Sequence, residues 1–176
     1  MNRSRIELAF VFENLGIPKN DLRTFSRRFQ VQKQVYVAQI AGVDLGYRYG
    51  WYIHGPYSTS LTADAFALKQ EIEDGDTELD AYRLHPAVIE RLKEAKKLCR
   101  KPDSFTDSTD DWLELLASLH FLRHIAYRPA GKTMDFDAVF DELIESKLKF
   151  TNRKSDAQLA WDQLDAFGLI EAKSLA

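Results

Sequence analysis

Two histidines spaced four residues apart, His120 and His124, are the side chains in this chain best placed to hold a metal ion. On a helix this spacing presents two imidazole nitrogens to the same side, as zinc sites require. No H-E-x-x-H motif supplies a further ligand and a general base, and any third ligand would have to come near through the fold, from Asp110, Asp111, His54 or His85. A metal-dependent hydrolase built on His120 and His124 is one hypothesis; two hydrogen-bonded structural histidines is the interpretation that the pattern favours.

Arginines could form a second kind of site, a phosphate-contacting surface made by Arg23, Arg27 and Arg28. If a helix covers this region, Lys19, Arg23 and Arg27 share one of its faces, as contacts to a nucleic-acid backbone require. The net charge of -3 and the isoelectric point near 5.8 argue against binding of nucleic acid by the whole surface, but they permit a local basic patch. A winged-helix-type DNA-binding regulator is therefore an alternative hypothesis.

Aromatic and turn-forming residues are most concentrated in residues 47–58, YRYGWYIHGPYS, which include five aromatics, two glycines and a proline. Tyr47, Tyr49 and Trp51 alternate with other residues, which predicts a strand with one apolar face packed in the core. Gly55 and Pro56 end that strand, and a helix begins after them. The predicted contact surface consists of Arg48, Tyr52, His54, Tyr57 and Ser58, with the backbone amides after Pro56 available to an anion.

Motifs of covalent or nucleotide-dependent catalysis are absent from the sequence. There is no G-x-S-x-G, no Walker loop and no G-x-G-x-x-G, and the single cysteine, Cys99, excludes an intramolecular disulfide and a cysteine-based metal cluster. We therefore expect a protein that is not an enzyme and that needs no cofactor.

The elements that must position these residues are mostly helical. Hydrophobic periodicity, caps and breakers predict helices at about 4–15, 21–41, 59–72, 87–99, 111–125, 136–146 and 155–167. Asn20 or Asp21 is the expected cap of the second helix, with a break near Phe29. Residues 81–84 are expected to form a short strand that pairs with the aromatic one, as a wing would. The predicted fold class is mostly α (α+β), with a short two-stranded β element and a winged-helix-like form as one option.

Composition indicates the number of domains and the cellular location to expect. With 176 residues, 45% of them hydrophobic and 29% charged, the chain suits a single globular domain spanning residues 1–176. No apolar run approaches 18 residues, so we expect no membrane span and a cytoplasmic location. The last predicted helix carries an apolar face that could serve either a homodimer or the core: Leu159, Trp161, Leu164 and Phe167.

Four segments also carry a resemblance to a known family: residues 32–39 (QKQVYVAQ), 45–58 (LGYRYGWYIHGPYS), 112–119 (WLELLASL) and 160–169 (AWDQLDAFGL). They resemble the YwgA-like proteins of prokaryotes and, more distantly, the Panacea (SocA-like) antitoxin domain. His54 departs from the pattern, which has an aromatic residue there. The resemblance implies a mostly helical fold. Through the antitoxin domain it also implies binding and neutralisation of another protein in toxin–antitoxin or mobile-element systems.

The leading functional hypothesis combines these observations. We expect a non-enzymatic protein-binding module, such as an antitoxin or an accessory protein of a mobile-element or defence system, whose partner is another protein, for example a toxin. Nucleic acid and a second copy of the chain are the other partners that the sequence leaves open.

Overall fold

The computed structural model describes residues 1–76, 78–126 and 134–171. These residues form seven α-helices and two short strands: α1 (Arg3–Leu15), α2 (Phe25–Ile40), β1 (Gly50–Tyr52), β2 (Gly55–Tyr57), α3 (Thr59–Glu73), α4 (Pro86–Cys99), α5 (Thr109–His124), α6 (Phe136–Ser146) and α7 (Lys154–Ala166). Single 3-10 turns lie at Glu78–Ala81 and Leu148–Phe150. The predicted class, mostly α with a two-stranded antiparallel β element, is confirmed.

Most helix ends follow from local capping chemistry. Ser58, Ser108 and Asp135 precede α3, α5 and α6, and each side chain accepts a hydrogen bond from the backbone N–H three residues later. Such caps satisfy amides that have no partner within the helix, which typically stabilises the helix by about 1 kcal/mol. At the other end of α1, Gly16 has a φ of 76°, a left-handed conformation in which glycine is the least strained residue.

The start of α2 differs from the prediction. The helix begins at Phe25, and its cap is Thr24, whose Oγ1 accepts the N–H of Arg27 at 3.2 Å. Asp21, one of the expected caps, instead accepts the N–H of Arg23 two residues on, a local turn that competes with helix. The predicted break near Phe29 is also wrong, because α2 is continuous to Ile40.

The second strand is also not where the sequence predicted it. Strand β1 pairs with β2, directly across a tight turn, whereas Glu78–Ala81 is a 3-10 turn and residues 82–84 form no strand. A tight hairpin closes only a very short loop, and loop closure costs less conformational entropy for short flexible connections than for long ones. The wing expected from residues 81–84 is therefore absent from this part of the chain.

The chain divides into two compact units, which we describe separately: Met1–Gly50 with Tyr57–Arg100, and Trp51–Pro56 with Lys101–Ala176. The prediction of a single domain over residues 1–176 thus stays a prediction. In the first unit α1 packs against α3 and α4, and α2 packs against α4. The core of this unit contains fully buried Leu8, Phe12, Val35, Leu61 and Leu92.

In the second unit α5 packs against α6 and α7. Every residue of α5 from Trp112 to Leu122 is buried, so this helix is covered on more than one side. On α7, Trp161 and Leu164 are buried, so these two positions belong to the core and are unavailable to the homodimer considered above. None of the helices that the structure describes has the length and apolarity to cross a membrane.

Candidate functional site

The turn between β1 and β2 forms an exposed tip in the second unit, which we call the hairpin tip and define as Tyr52, Ile53 and His54. Gly55 follows the turn with a φ of 81°, a left-handed residue that commonly begins the second strand of a bulged hairpin. Ile53 is 84% exposed and Tyr52 is 53% exposed, and His54 is half-exposed. Isoleucine is rarely so exposed in a folded protein, and beside an exposed tyrosine it makes a local apolar surface.

A buried lysine holds the backbone of this tip through a hydrogen bond. The Nζ of Lys147, which directly follows α6, donates a hydrogen bond to the carbonyl oxygen of Ile53. The same ammonium lies 2.8 Å from Glu114 Oε1 and 5.1 Å from the centre of the Trp51 ring, within the range of a cation–π contact. Only 2% of the Lys147 side chain and 3% of the Glu114 side chain are exposed, so this ion pair is shielded from water.

Glu114, which is 3% exposed, is bridged by two cations. Its Oε1 accepts from Lys147, and its Oε2 lies 2.7 Å from the Nζ of Lys149 and 3.7 Å from His54 Nδ1. Lys149 also contacts Asp111 Oδ1 at 2.9 Å. Two lysines thus face two carboxylates, so the formal charges of this cluster cancel under the tip.

The pKa values in the cluster reflect a competition between burial and pairing. Burial alone would raise the pKa of Glu114, but hydrogen bonds from Lys147 and Lys149 outweigh it, so the pKa is lowered. Burial lowers the pKa of Lys147, and the hydrogen bond and charge of Glu114 only partly restore it. A buried pair with hydrogen bonds on both partners can stay ionised, whereas either partner alone would be very costly to bury.

The residues predicted for the contact surface are distributed over both units. Tyr52 and His54 lie on the hairpin tip of the second unit, and Arg48 is exposed in the first unit. Tyr57, also in the first unit, is half-buried, and its hydroxyl accepts a hydrogen bond from Thr62 Oγ1 at 2.8 Å.

Ser58 is a correction to the predicted surface, because only 1% of the residue is exposed. Its N–H donates to Gln32 Oε1 at 2.8 Å, and its carbonyl oxygen accepts from Gln32 Nε2 at 2.9 Å. Its hydroxyl oxygen accepts the N–H of Leu61. The amides after Pro56 that could have held an anion therefore include two already used inside the fold, those of Ser58 and Leu61.

Of the alternating aromatics, Tyr47 is buried as expected, and its hydroxyl donates to Asp64 Oδ2 at 3.0 Å. Tyr49 is half-buried, and its ring meets that of Tyr36 edge-on, with 4.9 Å between centroids. In the second unit Trp51 stacks on Phe121. Most of this aromatic content therefore supports the fold, and the exposed part is the hairpin tip.

Among the residues that the structure describes, the metal hypothesis gains no third ligand. The rings of His120 and His124 lie 4.7 Å apart, but His120 is buried, and His124 Nε2 lies 2.8 Å from the carbonyl oxygen of Leu169. Within residues 1–76, 78–126 and 134–171, no group of three or more histidines, cysteines or carboxylates is arranged to hold a metal ion.

The arginines of the DNA-binding alternative do not form the predicted helical face. Lys19 and Arg23 precede α2, and Lys19 pairs with Glu13 at 2.7 Å. Arg28 is half-buried and donates from Nη1 to the carbonyl oxygens of Leu22 and Arg23, both at 2.9 Å. Arg23 and Arg27 stay exposed, on either side of the start of α2.

The sequence did not reveal Ile53 as part of the exposed surface, nor the two residues that hold the hairpin tip, Glu114 and Lys147. Glu114 did leave a signal, since it is the lone acid in the mostly apolar stretch from Trp112 to Phe121 of a predicted helix. Lys147 left none, because its partners are 33 and 94 residues away in sequence.

Comparison with known proteins adds no relative to this geometry: no protein-family model, no curated protein and no solved structure matches the chain.

Proposed function

We propose that this protein is a non-enzymatic protein-binding module whose hairpin tip inserts into an apolar pocket of a partner protein. The observation that supports this most strongly is the combination of an exposed Ile53 side chain with an Ile53 carbonyl oxygen held by the buried Lys147. The apolar side chain faces solvent while the backbone beneath it is fixed. The resemblance to the Panacea antitoxin domain points to the same class of function.

Preorganisation is the physical reason why such a tip suits binding. Ordering a loop at an interface costs free energy, and a loop already held in place avoids much of that cost on association. Rigid aromatic side chains and well-packed apolar anchors contribute most of the binding energy in protein interfaces. Tyr52 and Ile53 are such anchors, and the cancelled charges of the cluster below leave no net charge for a partner to neutralise.

The proposal uses a smaller set of residues than the sequence predicted. It keeps Tyr52 and His54, adds Ile53, and leaves out the buried Ser58 and the hydrogen-bonded Tyr57. Exposed Leu148 directly follows Lys147 in the same unit and is a further apolar contact. Arg48 remains a prediction that concerns the first unit.

The test begins with capture of partners from a nuclease-treated lysate of the native host, using wild type and Ile53→Asp as baits. The control bait is Tyr82→Ala, which removes an exposed aromatic residue of the first unit. A protein that wild type and Tyr82→Ala retain and Ile53→Asp loses would then be purified and its affinity measured by calorimetry. We expect Tyr52→Ala to weaken that affinity by roughly 2 kcal/mol, as truncation of an interface anchor does.

The capture result must be read together with the fold of each bait. Circular dichroism and urea unfolding should show that Ile53→Asp is folded, because an exposed tip residue has little packing to lose. If a folded Ile53→Asp retains every protein that wild type retains, the hairpin tip is not the contact surface and the proposal is wrong.

A further inference from the structure

A second surface with a different chemistry lies in the first unit, at residues 21–28 (DLRTFSRR), which we call the Arg-Phe segment. Phe25 is 59% exposed and stands between Arg23, whose side chain is 83% exposed, and the half-exposed Arg27. An aromatic ring exposed to this extent, two residues along the chain from each of two exposed arginines, offers a stacking surface close in sequence to phosphate contacts.

The charges of this segment are unbalanced, with three arginines and a single acid. The Nε atoms of Arg23 and Arg27 approach the same carboxylate, that of Asp21, at 3.2 Å and 3.6 Å. These ion pairs are exposed to solvent, so they are weak and a phosphate group can displace them. Arg28 is committed to the carbonyl oxygens of Leu22 and Arg23, and its contacts fix the shape of the loop that carries Arg23.

A small cleft adjoins the segment on the side of Arg27. It has room for about one water molecule (about 20 Å³), and its lining places apolar Ile17 and Pro18 beside Asp21, Arg27 and Gln34. A cleft of this size cannot admit a nucleobase. The segment therefore offers phosphate contacts and a stacking ring, without a pocket that reads a base edge.

We propose that the Arg-Phe segment binds single-stranded nucleic acid, with Phe25 stacking on a base and Arg23 and Arg27 contacting phosphates. A duplex would fit poorly, because its bases are already stacked on one another and the arginines do not form one face of a helix. An acidic protein segment could pair with the arginines but offers no base to stack on the exposed face of Phe25, whose ring already contacts that of Phe29 with 6.1 Å between centroids. This proposal is independent of the one made for the hairpin tip.

The test measures fluorescence anisotropy of a labelled oligothymidine of about fifteen nucleotides, long enough for a typical single-strand site. Phe25→Ala should weaken binding about tenfold, the loss expected from one base–aromatic stack. The matched control is Tyr82→Ala, another exposed aromatic of the same unit, which should bind as wild type does.

Salt dependence tests the arginines. Each phosphate contact on a single strand contributes about 0.7 to the slope of log K against log salt, so Arg23→Ala with Arg27→Ala should reduce that slope by about 1.4. The control pair is Lys93→Ala with Lys97→Ala, two exposed lysines of α4 that also pair with acids. This control should leave the slope unchanged.

Three competitors and two null results decide the outcome. Unlabelled oligothymidine should displace the probe, whereas a duplex of the same length and an oligoglutamate peptide should displace it at least tenfold less well. Equal competition by the duplex or by the peptide would overturn the assignment to single strands. So would an unchanged affinity of a folded Phe25→Ala, or no binding of the probe at low salt.

Discussion

The hairpin tip and the Arg-Phe segment use the same arrangement of charges in opposite surroundings. In each, one carboxylate is bridged by two cations: Glu114 by Lys147 and Lys149, and Asp21 by Arg23 and Arg27. Glu114 and Lys147 are almost fully buried, whereas the Asp21 pairs face solvent. Burial therefore decides whether a charge bridge fixes the backbone or remains exchangeable with a ligand.

The carboxyl pKa is lowered in both places, but for different physical reasons. Hydrogen bonds from the side chain and the backbone N–H of Arg23 lower the pKa of Asp21, with little opposition from burial. In Glu114 the effect of burial opposes the lysines and is overcome. In the buried bridge, the unfavourable burial of each charge is therefore offset by its pairing with the opposite charge. Removing one partner leaves the burial of the other without that offset.

The largest expected effect comes from removing Glu114. Glu114→Leu leaves Lys147 buried without its counter-ion, and loss of one partner of a buried pair typically costs about 3–5 kcal/mol. Urea unfolding should show a fall of that order in the free energy of unfolding. Lys149→Met is the control, since Glu114 then keeps Lys147 and the half-exposed Lys149 leaves no buried charge behind. A loss below about 1 kcal/mol in Glu114→Leu would contradict the buried bridge.

Removing both partners should cost less than removing one. In Glu114→Leu with Lys147→Met no charge of the pair remains buried, and we expect the free energy of unfolding to lie within about 2 kcal/mol of wild type. The hairpin should nevertheless loosen, because the carbonyl of Ile53 loses its buried donor. Hydrogen exchange at the amides of residues 52–55 should become faster in this stable variant; unchanged exchange would show that Lys147 does not position the tip.

An effect of intermediate size is expected on the free energy of unfolding at acidic pH. The pKa of Glu114 is lower in the folded state than its ordinary value of 4.5, so the unfolded state binds more protons between the two values. Its contribution is complete above pH about 4.5 and is lost as the pH falls toward the folded-state pKa. The difference in unfolding free energy between wild type and Glu114→Gln should therefore shrink below that pH. If the difference between the two proteins instead grew as the pH fell, the pKa of Glu114 would be raised by folding and this prediction would be wrong.

The smallest expected effect on stability belongs to the exposed bridge. Asp21→Asn should leave the free energy of unfolding unchanged within the error of the measurement, because exposed pairs are screened and interchangeable with water. It should also strengthen binding of oligothymidine, since the carboxylate that competes with phosphate for Arg23 and Arg27 is neutralised. A marked destabilisation would show that Asp21 is structural and that the comparison fails.

These comparisons also show which parts of the structure can be predicted from short-range sequence patterns. Helix α6 was predicted with its observed bounds, because a cap, a periodic apolar face and an end lie within a dozen residues. The start of α2 was misplaced because Asn20, Asp21 and Thr24 are all good caps, and the turn that Asp21 makes with Arg23 decides among them. The exposed Tyr52 and His54 were found because aromatic and turn residues cluster locally. Their anchor was not, because it joins residues far apart along the chain.

Ser58 is a residue that was predicted to be exposed and is buried by a contact with a residue distant in sequence. Its role as a helix cap follows from its position after Pro56, and a cap at a turn resembles a binding residue in sequence. What buries it is the side chain of Gln32, 26 residues earlier, which hydrogen-bonds both its N–H and its carbonyl. Contacts of that range follow from packing and not from local pattern.

The division of the chain has a consequence for its synthesis. Residues 51–56 belong to the second unit, although they lie in sequence between the two parts of the first. As the chain leaves the ribosome, the first unit can be complete after Arg100, while the hairpin must wait for α5 and for Lys147 before its turn is secured. Until then Tyr52 and Ile53 are apolar residues on an unsupported loop, so the nascent chain passes through a stage in which a chaperone could recognise the segment that becomes the hairpin tip.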